Sequence, residues 1–97
     1  MIRSFADAAT EDVFHGRATS RVRRLPAVVL SRTRVKLDIL HVATELRDLA
    51  APPANRLERL RGDDAGSWTI RVNDQWRLVF AWRDGHAYDV RLVDYHR

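Results

Sequence analysis

The stretch that decides the fold is Trp76-Arg77-Leu78-Val79-Phe80-Ala81-Trp82-Arg83-Asp84-Gly85-His86-Ala87-Tyr88. Trp76, Leu78, Phe80 and Trp82 alternate with Arg77, Val79, Ala81 and Arg83, the period of a strand with one apolar face. Asp84-Gly85 suits the two left-handed positions of a type I′ hairpin turn. Beyond it, parity places Tyr88, Val90 and Leu92 on the aromatic face and Asp89, Arg91, Val93 and Tyr95 on the other. Upstream, Ser67 to Val72 alternates in the same way, with Trp68, Ile70 and Val72 opposite Thr69 and Arg71, and Asn73-Asp74 forms the connecting turn. Leu57 to Leu60 is a further short strand, and Gly62-Asp63-Asp64-Ala65-Gly66 a turn by composition. Three consecutive strands therefore make a meander whose Trp-rich face has to be covered.

The N-terminal half supplies the cover. Met1 to Phe5 reads as a short strand. Asp7 to His15 reads as a helix with Asp7 or Thr10 as N-cap and Gly16 as its stop. From Pro26 to Pro52 the chain has neither Gly nor an internal Pro, and Val28, Ser31, Val35, Ile39, Val42 and Leu46 recur at three- or four-residue spacing. That pattern predicts a long helix with this stripe facing the core, broken near Thr44 so that a short helical turn covers Glu45 to Leu49. Pro52-Pro53 closes the helical half. The fold class is α+β, an antiparallel sheet with two helices, one of them long, packed on one face.

The 97 residues suffice for one domain with one core. There is no cysteine, which excludes a disulfide framework, a thiolate nucleophile and a cysteine-based metal site. No apolar run approaches the roughly 20 residues that span a bilayer, and Met1-Ile2-Arg3-Ser4-Phe5 is too short and polar for a signal peptide. A cytoplasmic protein with no membrane association is expected.

The formal charge is +4 and the pI about 10.6. Between Asp12 and Asp38 there is no acidic residue, while Arg17, Arg21, Arg23, Arg24, Arg32, Arg34 and Lys36 all fall there. Lys36 is the sole lysine among 17 lysines and arginines. Arginine's planar donor fork suits bidentate contact with phosphate. A solvated helix face and a nucleic-acid surface account for this run equally well.

The sheet face opposite the tryptophans collects Arg71, Arg77, Arg91 and Tyr95, with Arg61 and Glu58 entering from the preceding strand and turn. Fixed arginines can bind a phosphate and offset the charge of a pentacoordinate phosphorane. A tyrosine can orient a 2′-hydroxyl, stack on a base or donate a proton. An open sheet face is also ordinarily polar, and no acid/base pair of familiar type stands out. His15, His41, His86 and His96 have no established metal-ligand spacing; His96, beside Tyr95, could carry protons near neutral pH. Walker, GxGxxG and GxSxG motifs are absent, and no cofactor is implied.

These residues resemble the HigB-like toxins of the RelE/ParE superfamily, members of bacterial type II toxin–antitoxin pairs. The resemblance is carried by Met1-Ile2-Arg3-Ser4-Phe5, Pro52-Pro53-Ala54-Asn55-Arg56-Leu57-Glu58 with Leu60-Arg61-Gly62-Asp63, Ile70 through Arg77, Asp84-Gly85 with Ala87-Tyr88-Asp89-Val90, and Val93-Asp94-Tyr95-His96. It implies a small RelE-like fold and an endoribonuclease that cuts messenger RNA in the ribosomal A site by attack of a 2′-hydroxyl on the adjacent phosphate. On that model Arg77 is the phosphate-stabilising arginine and Tyr95, with Asp94 and His96 beside it, the terminal catalytic group. Arg61 adds charge, Glu58 is a base or a salt partner, and Arg71, Arg91, Arg59, Arg23 and Arg24 hold RNA. The implied partner is a HigA-like helix-turn-helix antitoxin, through which alone the toxin would meet operator DNA. Where better-known relatives carry His-Pro-Leu-Lys-Gly, this chain has Glu58-Arg59-Leu60-Arg61-Gly62, and Asp64 stands where a basic residue often follows Gly-Asp. Two further readings stay open: a ParE-type inhibitor of DNA gyrase, which would not need Arg77 and Tyr95 clustered, and a catalytically weakened toxin that acts as an antitoxin-binding co-repressor.

Overall fold

A computed structural model of the chain describes residues 1–62 and 66–95. The helices are α1 (Ala8–Phe14), α2 (Ser20–Arg23), α3 (Ala27–Val42) and α4 (Leu46–Ala50), followed by a 3-10 turn at Pro53–Asn55. The strands β1 (Glu58–Arg59), β2 (Ser67–Arg71), β3 (Trp76–Arg83) and β4 (His86–Asp94) form one antiparallel sheet in sequential order. The helices cover the sheet face that carries Ile70, Leu78, Phe80 and Val90, and with Val13, Val22, Leu37, Leu40 and Leu49 these make the core. The one-turn α2 adds an element to the two helices expected. Of the turn expected at Gly62-Asp63-Asp64-Ala65-Gly66, residues 63–65 lie outside the described residues.

The elements begin and end for local reasons. Asp7 caps α1 by accepting the Thr10 N–H at 2.7 Å, so Asp7 rather than Thr10 is the cap. Thr10 is buried and its hydroxyl accepts the Leu92 N–H at 2.9 Å, tying α1 to β4. α3 ends at Ala43, whose backbone is extended. There the Asp48 carboxylate accepts the N–H groups of Thr44 at 3.1 Å and Glu45 at 3.0 Å, so the expected break near Thr44 is a capping box for α4.

Two expectations about faces are corrected. The core side of α3 is Val29, Thr33, Leu37 and Leu40, whereas Val28, Val35 and Val42 are 57%, 57% and 74% exposed. The stripe read as inward from Val28, Ser31, Val35 and Val42 points outward, with Ile39 and Leu46 half-buried at its margin. Tyr88 also changes sides. In β3–β4 the register runs Val79 to Arg91 but Ala81 to Tyr88, so β4 carries an extra residue at a bulge. Asp89 sits there with φ of 54°, its N–H held at 2.9 Å by the Ser4 hydroxyl. Ahead of the bulge Ala87 points to the core and Tyr88 lies on the opposite face with Ala81, where the Arg83 guanidinium stacks 4.3 Å from its ring centre. The N-terminal segment pairs in parallel with β4 through bridges at Ile2 and Phe5, covering that edge.

Part of the basic run is consumed internally. Asp12, only 6% exposed, accepts Arg17 Nη1 at 3.3 Å, the Thr19 hydroxyl at 3.0 Å and Arg21 Nη1 at 3.4 Å. Its burial works to raise the carboxyl pKa. The hydrogen bonds from Thr19 and Arg17 and the charges of Arg21 and Arg17 outweigh that, and the group is held below its ordinary value. A carboxyl with a depressed folded-state pKa contributes stability above its unfolded pKa and loses it as pH falls through the folded value. Asp12→Asn should therefore melt at lower temperature than the wild type at pH 7, and the gap should close as pH falls below about 4. Thermal unfolding followed by circular dichroism measures this; a gap unchanged down to pH 3 would contradict it.

The β3–β4 turn has positive φ at both Asp84 (51°) and Gly85 (79°), as a type I′ turn requires. A Cβ on Gly85 would lie 3.1 Å from the Thr44 carbonyl oxygen, so the hairpin tip packs directly on the α3–α4 junction. Gly85→Ala is expected to destabilise the fold by about 1–2 kcal/mol through strain and crowding together. Urea unfolding checks it, and a variant as stable as the wild type would refute the close approach.

Candidate functional site

The turn between β2 and β3 organises the face away from the helices. Asn73 Oδ1 accepts the N–H of Gln75 at 2.9 Å and of Trp76 at 2.8 Å, closing an Asx turn. That leaves the Asn73 carbonyl to accept Arg77 Nη1, which the Trp76 carbonyl also accepts at 3.2 Å. Arg77 is only 7% exposed, and a buried guanidinium needs such acceptors. The same turn fixes the end of β4: the Gln75 carbonyl accepts the Tyr95 N–H at 2.5 Å, and Gln75 Nε2 donates to Asp94 Oδ2 at 3.1 Å. The Arg77 guanidinium carbon then lies 5.6 Å from the Tyr95 ring centre, within cation–π range.

Arg71 is the cross-strand partner of Arg77 and donates Nη2 to Asp74. That hydrogen bond, followed by the Arg71 charge and smaller contributions from Arg56 and Arg77, holds the Asp74 carboxyl below its ordinary value. Asp74 is nevertheless almost fully exposed, its side chain 97% accessible. Lys36, reaching in from α3, donates to Asn55 Oδ1, and burial first, then the Arg71 charge, lowers its pKa. Arg71 thus pairs with an exposed carboxylate that also feels the charges of Arg56 and Arg77, with Lys36 behind Arg71. Arg56 and Lys36 were not singled out as site residues from the sequence. Arg56 lies in the block Asn55-Arg56-Leu57-Glu58, and its left-handed backbone (φ 44°) is a signal that only the fold reveals.

The remaining candidates lie elsewhere. Glu58, Thr69, Val79 and Arg91 form one cross-strand row, adjacent to the row of Arg71, Arg77 and Val93. At about 4.8 Å per strand, the backbones of Glu58 and Arg91 are about 14 Å apart. Arg59 points to the other side of β1, 5.8 Å from the Trp68 ring centre. Glu58, Arg59 and Arg61 line an open depression of about 710 Å³ at the β1 edge. Arg23 and Arg24 are exposed at the end of α2, in the helical layer, where Arg23 Nη1 donates to the Ala18 carbonyl at 2.8 Å. His96 lies outside the described residues. The structure brings together Arg71, Arg77, Asp94 and Tyr95 around one turn and leaves Glu58, Arg59 and Arg61 at the edge, with Arg23 and Arg24 on the other layer. His41 Nδ1 accepts the Ile2 N–H at 3.1 Å, and among the described residues no group of three His, Cys, Asp or Glu is placed to hold a metal.

A cluster of fixed guanidinium groups beside an aromatic ring, without a metal cage, suits recognition of a phosphodiester and a base. Residues 3–96 match the family model of the RelE-like toxin of type II toxin–antitoxin system HigB. The chain is 43% identical over 72 residues to Toxin HigB-1 of Vibrio cholerae, covering 74% of this chain and 76% of that protein. It is 34% identical over 96 residues to Endoribonuclease HigB of Proteus vulgaris, covering 99% of this chain and 100% of that protein. Among solved structures, YafQ from Escherichia coli superposes with a TM-score of 0.64 at 15% identity, over 97% of this chain and 93% of YafQ. YoeB in the YoeB–YefM complex from Staphylococcus aureus gives 0.59 at 18% identity, over 100% of this chain and 99% of YoeB. With its small α+β fold, its arginine-rich turn and a family match across almost its whole length, this chain belongs to the HigB-like family of RelE-like toxins of type II toxin–antitoxin systems.

Proposed function

We propose that the chain is an endoribonuclease toxin that cuts messenger RNA on the ribosome and is silenced by a helix-turn-helix antitoxin. The observation that carries this reading is the Arg77 guanidinium, locked onto the Asn73 and Trp76 carbonyls and stacked over Tyr95 on the sheet face away from the helices. The name of the relative from Proteus vulgaris, which aligns end to end with this chain, supports the activity. In this reading Arg71 and Arg77 bind the scissile phosphate, which competes with Asp74 for Arg71. The 2′-oxygen bonds to phosphorus as the P–O5′ bond breaks, leaving a 2′,3′-cyclic phosphate and a 5′-hydroxyl. The proton lost by the 2′-hydroxyl and the proton gained by the 5′-oxygen balance, and the arginines offset the charge on the phosphorane between.

Tyr95 stacks on a base next to the cleaved bond or hands its proton to the leaving oxygen, while Asp94 is held in place by Gln75. His96 follows Tyr95 in the sequence, and an imidazole suits proton transfer. Arg91 extends the cationic face, and Glu58, Arg59 and Arg61 meet RNA or ribosome further along at the β1 edge. The sparse acid/base equipment fits catalysis by positioning, with the ribosome presenting the strand in the A site. The work is cytoplasmic, and operator DNA is reached only through the antitoxin.

Expression in a bacterium with 5′-end mapping of transcripts tests the reading. Cuts confined to translated frames are expected, and Arg77→Ala or Tyr95→Ala should lower cleavage by about 100-fold or more with circular dichroism and antitoxin binding retained. Full growth arrest in both variants would remove Arg77 and Tyr95 from the site. Intact transcripts with an induced DNA-damage response would replace the ribonuclease by a gyrase inhibitor.

A further inference from the structure

The outward stripe on α3 is the feature that neither the core nor the catalytic face uses. Val28, Val35 and Val42 are seven residues apart, so they stand in line along one face, more than half exposed. The opposite face buries Val29, Leu37 and Leu40. α3 is therefore apolar on two sides, the pattern of a helix packed between neighbours, and α1, β3 and β4 pack on the side that is buried. Beside Val35 the surface opens into a groove of about 420 Å³, lined by Ser31, Arg32, Val35, Lys36, Arg71 and Val72 among others. Its floor is apolar and its rim cationic. The helix carries Arg32, Arg34 and Lys36 but one carboxylate, Asp38.

We propose that the outer face of α3 is the docking surface for the antitoxin, and that it takes an amphipathic helix with apolar residues at heptad spacing and flanking acidic residues. The inference rests on the toxin–antitoxin reading above. A seven-residue apolar line is the imprint of a helix lying alongside. The cationic rim selects acidic flanks. An RNA strand would be drawn by the charge but has no use for a row of isolated valines. The groove ends at Arg71, the cross-strand partner of Arg77. An acidic residue placed there competes with phosphate for the same guanidinium, so docking on the helical layer reaches the edge of the catalytic face.

The test uses the full chain with the protein encoded by the neighbouring open reading frame, co-expressed and then measured by calorimetry. Val35→Asp puts an unpaired carboxylate into the interface, and about a tenfold or greater loss of affinity is expected, with the circular dichroism of the wild type retained. Arg32→Glu should act in the same direction through charge, and Val35→Ile should bind as well as the wild type. Wild-type binding by Val35→Asp would overturn the docking surface and leave the toxin reading intact. No binding by the wild type would overturn the antitoxin reading and this surface with it. A variant that binds antitoxin but loses toxicity would assign the face to the ribosome, and one that turns a wild-type dimer into a monomer would assign it to a second copy; either result overturns the proposal.

Discussion

The middle of β3, from Arg77 to Phe80, is buried on both faces of the sheet. β3 is paired on both sides; Leu78 and Phe80 are fully buried against the helices, while Arg77 and Val79 are 7% and 2% exposed on the other face. A charged guanidinium on such a strand is tolerated only if its donors are met. The preceding turn meets them. Because Asn73 spends its side chain on the N–H groups of Gln75 and Trp76, the carbonyls of Asn73 and Trp76 are aimed at Arg77. The same turn collects the backbone of Tyr95 through Gln75. Packing, turn chemistry and the candidate site are one constraint, expressed in a few residues between Val72 and Leu78.

The charge arrangement follows from that geometry. Arg71 is brought opposite Arg77 by the hairpin register and pairs with the exposed Asp74, whose carboxyl also feels the charges of Arg56 and Arg77. A carboxylate that is well paired yet accessible can be replaced by a phosphate without unfolding anything. That separates Asp74 from Asp12, a buried carboxylate of α1 whose contacts with Arg17, Thr19 and Arg21 hold the loop that follows the helix. Much of the basic run, which fitted a solvated face and a nucleic-acid surface equally well, is therefore structural, and the charge at the candidate site comes mainly from the strands.

The strands, both hairpins, the Asp7 cap and the break before α4 were legible because each is written locally, in alternation, turn dipeptides and capping residues. Arg77 and Tyr95 were legible as members of one face by parity. The side change of Tyr88 was not, because Tyr88, Val90 and Leu92 alternate correctly and the bulge depends on Asp89 meeting Ser4 from the distant N-terminus. The facing of α3 was not, because Val28, Val35 and Val42 make as regular a stripe as Val29, Thr33, Leu37 and Leu40. Tertiary packing chooses between them. Burial of Thr33 in the core, its hydroxyl without a hydrogen-bond partner among the described residues, is a choice no pattern rule favours. The separation of Glu58 and Arg61 from Arg77 required the strand order.

The most direct measurement is single-turnover cleavage of messenger RNA on a programmed ribosome by Asn73 variants, because Asn73 touches the proposed chemistry only through Arg77 and the turn. Asn73→Ala removes the acceptor that closes the turn, whereas Asn73→Asp keeps it. The account predicts a loss of about tenfold or more in the cleavage rate for Asn73→Ala, near wild-type rates for Asn73→Asp, and unchanged ribosome affinity in both. Equal rates for wild type and Asn73→Ala would contradict the claim that this turn builds the site.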